Sequence, residues 1–353
     1  MDVALQRLIQ QRVLQNPLAT PDKVVAWLGA VQAQDYPGAK WTLGLRMNGT
    51  VDAEIEQAFN AGSILRTHAM RPTWHFLTPV DIRWVQELTA PRVHAGNAYQ
   101  YRQYELDQAL FARSDALIAR ALEGGQHLTR VELGQALEKN GIQAQGIRLI
   151  YIVMHAELEA LVCSGPRRGK QFTYALLAER ASRAVSRPRE EALAELTRRY
   201  FTGHGPATVR DFTWWSGLTA ADAIEGLEMA AGSLSHAGID GGTYWFSDAM
   251  PMSNDSSGAA FLLPTYDEFL VGYAAFDRTR HGGQAELVFN ATLLNAGEIV
   301  GTWRRTFQKE AVVIEIAPFG SIPPNRVELI HAAARRYGDF LGMPVEIRRI
   351  PSA

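Results

Sequence analysis

The chain has 353 residues, of which 47% are hydrophobic and 20% charged, so two or three folded domains are expected. No apolar run reaches the ~18–20 residues that cross a bilayer, and residues 1–7 lack a secretory signal, which predicts a cytoplasmic protein without membrane association. Cys163 is the only cysteine, which excludes an intrachain disulfide and any multi-cysteine metal site. The net charge of −2 lacks the basic surplus typical of nucleic-acid binders, so any DNA contact must come from local basic clusters.

A pattern of helices followed by a hairpin begins in residues 1–104. Hydrophobic periodicity predicts helices at 3–14, 21–32 and 51–60, then strands at 64–70 and 73–77 joined through Arg71 and Pro72. A further helix from residue 78 onward leads into the next module.

The pattern is clearest in residues 105–182. Helices are predicted at 107–122, 129–139 and 145–160, with Gly124 and Gly125 ending the first and Thr129 capping the second. Strands at 161–163 and 171–174 flank a basic hairpin tip. Three helices followed by a hairpin is the order of a winged helix, a variant of the helix-turn-helix.

The pattern occurs again in residues 183–250 and is replaced by strands in residues 251–353. Helices at 190–201, 208–216 and 220–231 precede a hairpin of strands 233–239 and 243–247. After the polar stretch 254–258, strands are predicted at 261–264, 285–289, 291–294, 298–306, 311–316 and 345–350, with a helix at 325–340. The predicted fold class is α+β, with three tandem winged-helix modules followed by a small, barrel-like β-rich domain.

Two glutamines, Gln32 and Gln34, stand where a helix must end before Pro37. Residues two apart diverge on a helix but share a face on an extended strand. If the chain leaves the helix near Gln32, both amides point into one cleft. From spacing alone, capping of a helix end or exposure to solvent is the commoner role for such amides.

Basic and polar residues cluster in both predicted wings. On or beside the first wing stand Arg66, His68, Arg71, Thr73 and His75. They would contact phosphate or a damaged base, or else form a partly buried polar ladder. At the tip of the second wing stand Arg167, Arg168 and Lys170, which would contact phosphates or only solvent. His68 and His75 have no third ligand nearby, so neither a metal nor an organic cofactor is expected.

The glutamine motif, Val31-Gln32-Ala33-Gln34 followed by Asp35-Tyr36-Pro37-Gly38, resembles that of the AlkZ-type winged-helix DNA glycosylases. Further resembling blocks run to the end of the chain: 66–75, 205–208, 214–218, 262–268 and 301–305. The resemblance implies a C-shaped array of winged helices with a β-barrel, excision of alkylated purines, and Gln32 and Gln34 at the catalytic centre. The related AlkX-type branch has aspartate at the second motif position, so Gln34 places this chain nearer AlkZ.

Amide side chains suit the chemistry that this resemblance implies. A purine alkylated at N7 or N3 is cationic and leaves without protonation, so the enzyme has only to hold a water and stabilise the oxocarbenium charge. Asp35 could add a carboxylate, but its position on a turn favours a capping role. We therefore predict a monofunctional glycosylase acting on double-stranded DNA with alkylated purines, with no obligate protein partner. The alternatives are a non-catalytic winged-helix DNA-binding regulator and a small-molecule sensor. Trp214 and Trp215 are expected to pack a core and not to stack on bases.

Overall fold

Helices and strands are mixed along the whole chain, as the α+β prediction requires. The computed structural model describes residues 2–15, 17–249, 258–274, 290–295 and 297–349. The predicted strand at 285–289 and most of the polar stretch at 254–258 lie outside these residues. Among the helices that are described, none combines the length and the apolar character that crossing a membrane requires.

The first repeat follows a short N-terminal helix, α1 (Val3–Gln10). Its elements are, in order, α2 (Pro21–Leu28), β1 (Val31–Gln32), α3 (Tyr36–Gly44), α4 (Asp52–Ala61), β2 (Leu65–Ala69) and β3 (Thr73–Leu77). The three strands form one antiparallel sheet in which β3 lies between β1 and β2. The motif glutamines therefore lie on and just after the edge strand β1.

The glutamine segment departs from its prediction in one way that matters for the site. The helix predicted at 21–32 ends at Leu28, because Gly29 adopts a φ of +80°. Helix α3 was not predicted, since Pro37 was interpreted as a helix stop. A proline in the first helical turn lacks only an N–H that has no intrahelical partner, so Pro37 begins a helix instead.

The second repeat is reached through the long helix α5 (Ile82–Gln103). Its elements are α6 (Gln108–Leu122), β4 (Leu128–Thr129), α7 (Arg130–Lys139), α8 (Gly146–Leu158), β5 (Val162–Ser164) and β6 (Thr173–Leu176), followed by α9 (Leu177–Arg180). Here β6 lies between β4 and β5, which repeats the strand order of the first sheet. Thr129 caps α7 in a reciprocal capping box with Glu132, as the sequence indicated.

The third repeat has the same order with a reduced first strand. Its elements are α10 (Arg189–His204), α11 (Val209–Ser216), α12 (Ala220–Ala230), a 3-10 turn (Ala231–Ser233), β7 (Leu234–Ile239) and β8 (Gly242–Ser247). Ala207 forms an isolated bridge with Trp245 on β8, in the position that β1 and β4 occupy in the other repeats. In all three repeats, the segment after the first helix therefore pairs with the last strand of the hairpin.

The C-terminal elements pack against the first repeat. They are β9 (Ala260–Leu263), α13 (Glu268–Val271), β10 (Thr292–Asn295), β11 (Glu298–Phe307), β12 (Val312–Pro318), α14 (Pro324–Leu341) and β13 (Val345–Arg349). The described strands form one sheet in the order β13-β12-β11-β10-β9. On α3, Trp41 donates from Nε1 to the Leu262 carbonyl at 2.7 Å and packs on Tyr337 and Phe340 of α14. One hydrophobic core therefore includes both α3 and the C-terminal sheet.

A fully buried ion pair anchors the loop between β9 and α13. The two terminal nitrogens of Arg46, Nη1 and Nη2, each donate to the Asp267 carboxylate at 2.9 Å, and neither side chain is exposed. Arg46 also donates to Gln11 Oε1 at 2.7 Å, and Gln11 Nε2 donates to the Glu268 carbonyl at 3.2 Å. The start of α13 is therefore fixed to the residues that follow α1 and α3 by a polar network inside the core.

Replacing Arg46 with methionine should destabilise the fold strongly. The Asp267 carboxylate would stay buried without its partner, which costs about 3–5 kcal/mol of unfolding free energy. Urea denaturation measures this as a lower midpoint. The matched control is Arg304→Met, which breaks the exposed pair with Glu315 and should leave the midpoint unchanged. Equal midpoints for Arg46→Met and wild type would contradict this prediction.

Candidate active site

Gln32 is a buried residue held at both its backbone and its side chain. Its N–H donates to Glu268 Oε1 at 2.7 Å, and its Oε1 accepts from Arg71 Nη2 at 2.9 Å. Because arginine can only donate hydrogen bonds, the amide oxygen must face Arg71, and the NH₂ group points the other way. Gln32 is only 6% exposed, so this orientation is kept by its surroundings.

Gln34 differs from Gln32 because its side chain is exposed. The chain between the two glutamines stays beside β3, since the Ala33 N–H donates to the Trp74 carbonyl at 2.6 Å. The Gln34 Oε1 accepts from the Trp74 N–H at 3.3 Å. Residues 32–34 therefore run alongside β3, as the extended alternative for this motif requires, with one glutamine buried and the other accessible.

Glu268 is a buried carboxylate behind Gln32 that the sequence analysis did not single out. Besides the Gln32 N–H, it accepts from Trp215 Nε1 at 3.0 Å and lies 3.3 Å from His204 Nε2. Burial acts to raise the pKa of Glu268, but the bond and charge of His204 and the Gln32 N–H outweigh it, and the pKa lies below its usual value. With no exposed surface, this charged group can act on the site only through its neighbours.

Arg71 connects Gln32 to the molecular surface. Its guanidinium lies 5.3 Å from the ring centroid of Trp214, and burial lowers its pKa. Trp214 and Trp215 were both expected to pack in a core. Trp215 is buried, whereas Trp214 is 41% exposed and its indole N–H donates to the Val271 carbonyl. A cleft of about 550 Å³ opens beside this group, lined by Arg71, Arg92, Asn97, Gln100, Tyr151 and Gly217.

Three other residues from the first wing lie in the interior. Arg66 donates to the Ala33 carbonyl at 3.0 Å and lies 4.0 Å from the Trp74 ring centroid, and burial lowers its pKa to about 10. His68 Nδ1 lies 2.6 Å from Glu157 Oε2 on α8. His75, paired with Gln32 across the sheet, has its Nδ1 3.0 Å from the Thr73 carbonyl.

The remaining candidates are more accessible. Thr73 is half-buried, and its N–H donates to the Arg71 carbonyl at 2.6 Å. Arg167 is half-buried and lies 3.3 Å from Glu56 on α4, so it joins the first two repeats. At the hairpin tip, Arg168 is exposed and pairs with Glu132 at 2.6 Å, and Lys170 is exposed. Of the candidate site residues, the two that are both cationic and exposed therefore lie at the tip of the second hairpin.

Asp35 occupies the N-cap position of α3, where a capping role was the preferred expectation. Its side chain makes no capping hydrogen bond and instead lies 4.0 Å from Arg305 Nη2 on β11. The carboxylate in direct contact with the glutamine motif is thus Glu268, which is distant in sequence.

The buried His75 should make folding stability depend on pH. Burial, followed by the charge of Arg71, lowers its pKa from 6.5 to about 4. The unfolded chain therefore binds the proton first, and stability that is fully present above pH 6.5 is lost as the pH falls toward 4, by about 3 kcal/mol. Urea unfolding of wild type and His75→Gln across this range should show a shallower loss in the variant. The exposed His236→Gln should keep the wild-type slope, and identical slopes in all three proteins would contradict the assignment.

Comparison with known proteins agrees with the resemblance found in the sequence. Residues 25–340 match the profile of the family described as DNA glycosylase AlkZ-like. The chain is 22% identical over 364 residues to an interstrand DNA cross-link repair glycosylase of Streptomyces sahachiroi, with 96% of each protein covered. Its fold is similar to the solved structure of Streptomyces sahachiroi DNA glycosylase AlkZ, with a TM-score of 0.79, 20% identity and 98% of each chain covered. Because the family profile spans most of its length, the chain belongs to the AlkZ-like family of DNA glycosylases.

Proposed function

We propose that this glycosylase hydrolyses the N-glycosidic bond of cationic N7- or N3-alkylated purines in double-stranded DNA, with Gln32 and Gln34 at the catalytic centre. One observation carries the proposal. Gln32 is fixed through its backbone by Glu268 and through its side chain by Arg71, while Gln34 beside it is exposed. A preorganised amide of this kind can stabilise developing charge without reorganising during the reaction.

The amides would act on the attacking water and on the sugar. An amide oxygen has two lone pairs, so Gln32 Oε1 can accept from a water while it keeps its bond to Arg71. Water attacks C1′ as the C1′–N9 bond breaks, and the bonding electrons neutralise the charge on the departing purine. A carboxamide is not a base, so the proton of the water passes to solvent. Only a base that is already cationic leaves readily under these conditions.

The surrounding basic and polar residues would have two different roles. Arg66, His68 and His75 are buried, and we assign them to positioning of the glutamine segment, with Arg66 holding the carbonyl between the two glutamines. Arg71 stands at the cleft, where Arg71 and Arg92 suit a DNA phosphate, and we assign a DNA contact to the half-buried Thr73 two residues further on. For the hairpin tip, we assign phosphate contacts to Arg168 and Lys170 and an inter-repeat contact to Arg167.

The three repeats would present these groups to DNA as winged helices. The first two have the order helix, strand, helix, helix, hairpin, with the first strand beside the last. In the third repeat an isolated bridge at Ala207 takes the place of the first strand, and this common order supports three winged-helix modules bounded near residues 104, 182 and 250. We assign residues 251–353 to a barrel-like C-terminal domain.

Base release from duplex DNA containing N7-methylguanine tests the proposal directly. Under single-turnover conditions, Gln32→Ala should lower the release rate by about 10²-fold or more, and Gln32→Ala/Gln34→Ala should approach the spontaneous rate. Gln103→Ala, which changes an exposed glutamine at the end of α5, should release base like wild type. Wild-type release that persists in both glutamine variants would refute the site. DNA binding with no release from N7-methylguanine or from a bulkier N7 adduct would favour a non-catalytic binding role.

Glu268 should act as a positioning residue. Glu268→Gln keeps an acceptor for the Gln32 N–H but removes the charge that Trp215 and His204 face and that compensates Arg71. Because a misplacement of 1 Å can cost about 10²-fold in rate, we expect release to slow by about tenfold or more while DNA affinity is retained. The exposed Glu310→Gln is the matched control. Parallel losses of affinity and folding stability, without a separate loss of rate, would show a purely structural role.

A further inference from the structure

A cluster of two histidines and a glutamate lies where α5 and α8 meet, and the proposed glycosylase chemistry does not use it. His94 belongs to α5, while His155 and Glu159 stand one turn apart at the end of α8. Glu159 Oε1 is 3.0 Å from His94 Nε2 and 4.0 Å from His155 Nε2. One ligand atom from each side chain lies within 4.8 Å of the other two.

We propose that His94, His155 and Glu159 bind a divalent transition-metal ion such as Zn²⁺. Two imidazoles and a carboxylate are ligands that suit Zn²⁺. Tetrahedral bonds of ~2.0–2.1 Å place ligand atoms roughly 3.3–3.4 Å apart, and the observed separations bracket this value, so small side-chain movements would close the site. The Glu159 side chain is 52% exposed, which leaves room for water to complete the coordination.

The surroundings of the two histidines support this assignment. His94 Nδ1 is hydrogen-bonded to the Tyr101 hydroxyl at 2.9 Å, and His155 Nδ1 lies 3.2 Å from Asp115 Oδ2 without an aligned hydrogen bond. Metal-binding histidines usually present their second nitrogen to such a partner, which orients the ring. The His155 ring also stacks on Phe111, with centroids 3.8 Å apart and planes 7° apart, so its direction is fixed.

The contact between His94 and Glu159 also favours an ion bound between them. Within the described residues, His94 Nε2 is buried without an aligned hydrogen bond, although a carboxylate oxygen lies 3.0 Å away. An ion between these atoms would satisfy both and would join α5 to α8.

Metal titration of the full-length protein tests the proposal. After chelator treatment and dialysis, Zn²⁺ binding is followed by calorimetry, and Co²⁺ binding by its visible d–d absorption. We expect one saturable site per chain, weakened at least about tenfold in Glu159→Gln and His94→Gln and about 10–100-fold in Asp115→Asn. His236→Gln, which removes an exposed histidine on β7, is the matched control and should bind like wild type.

Two results would overturn the proposal: no saturable Zn²⁺ binding, or equal affinity in wild type, Glu159→Gln and His94→Gln. Because Glu159 is half-exposed, its replacement should not disturb the core, and thermal unfolding with chelator present checks that each variant is folded. None of these measurements involves DNA, so their outcome is independent of the proposed glycosylase activity.

Discussion

A buried carboxylate needs compensation from its immediate neighbours, and the neighbours that compensate Glu268 come from two distant parts of the chain. The donors are the Gln32 N–H on β1 and the Trp215 indole on α11, with the His204 ring of α10 nearby. These contacts tie the first repeat, the third repeat and the C-terminal region to one point. The buried Arg46–Asp267 pair holds the adjacent residue in place, so the position of the carboxylate is itself fixed. Because the Gln32 N–H donates to this carboxylate, the position of Gln32 is fixed as well.

Several arginines of this protein form contacts within the fold. Arg66 binds the carbonyl between the two glutamines, Arg71 binds the Gln32 amide, and Arg167 joins α4 to the second hairpin. Buried arginines suit this task because a planar guanidinium satisfies several acceptors while stacking on aromatic rings. A net charge of −2 is compatible with a DNA glycosylase on this view, since exposed positive charge is needed only locally.

The three repeats share an order of elements but differ in what each contributes. In the first, the edge strand carries the glutamine motif. In the second, the hairpin tip exposes Arg168 and Lys170, and α8 supplies Glu157, whose carboxylate lies 2.6 Å from His68 of the first repeat. In the third, α10 and α11 place His204 and Trp215 against Glu268. A common architecture thus carries different side chains in each repeat, and packing between the repeats brings several of them together.

The sequence by itself determined the helices, the hairpins and their order, because periodicity, caps and turns depend on residues only a few positions apart. Thr129 indicated the start of α7 correctly, and the Gln-apolar-Gln motif indicated the family. The same local logic failed at Pro37, which is equally compatible with the end of one helix and the beginning of another. Tertiary structure alone decided that Gln32 is buried and Gln34 exposed, that Trp214 lies at the surface, and that Glu268 rather than Asp35 supplies the adjacent carboxylate. Gln32 and Glu268 are 236 residues apart, and a contact over that distance follows from how the repeats pack, which no local pattern encodes.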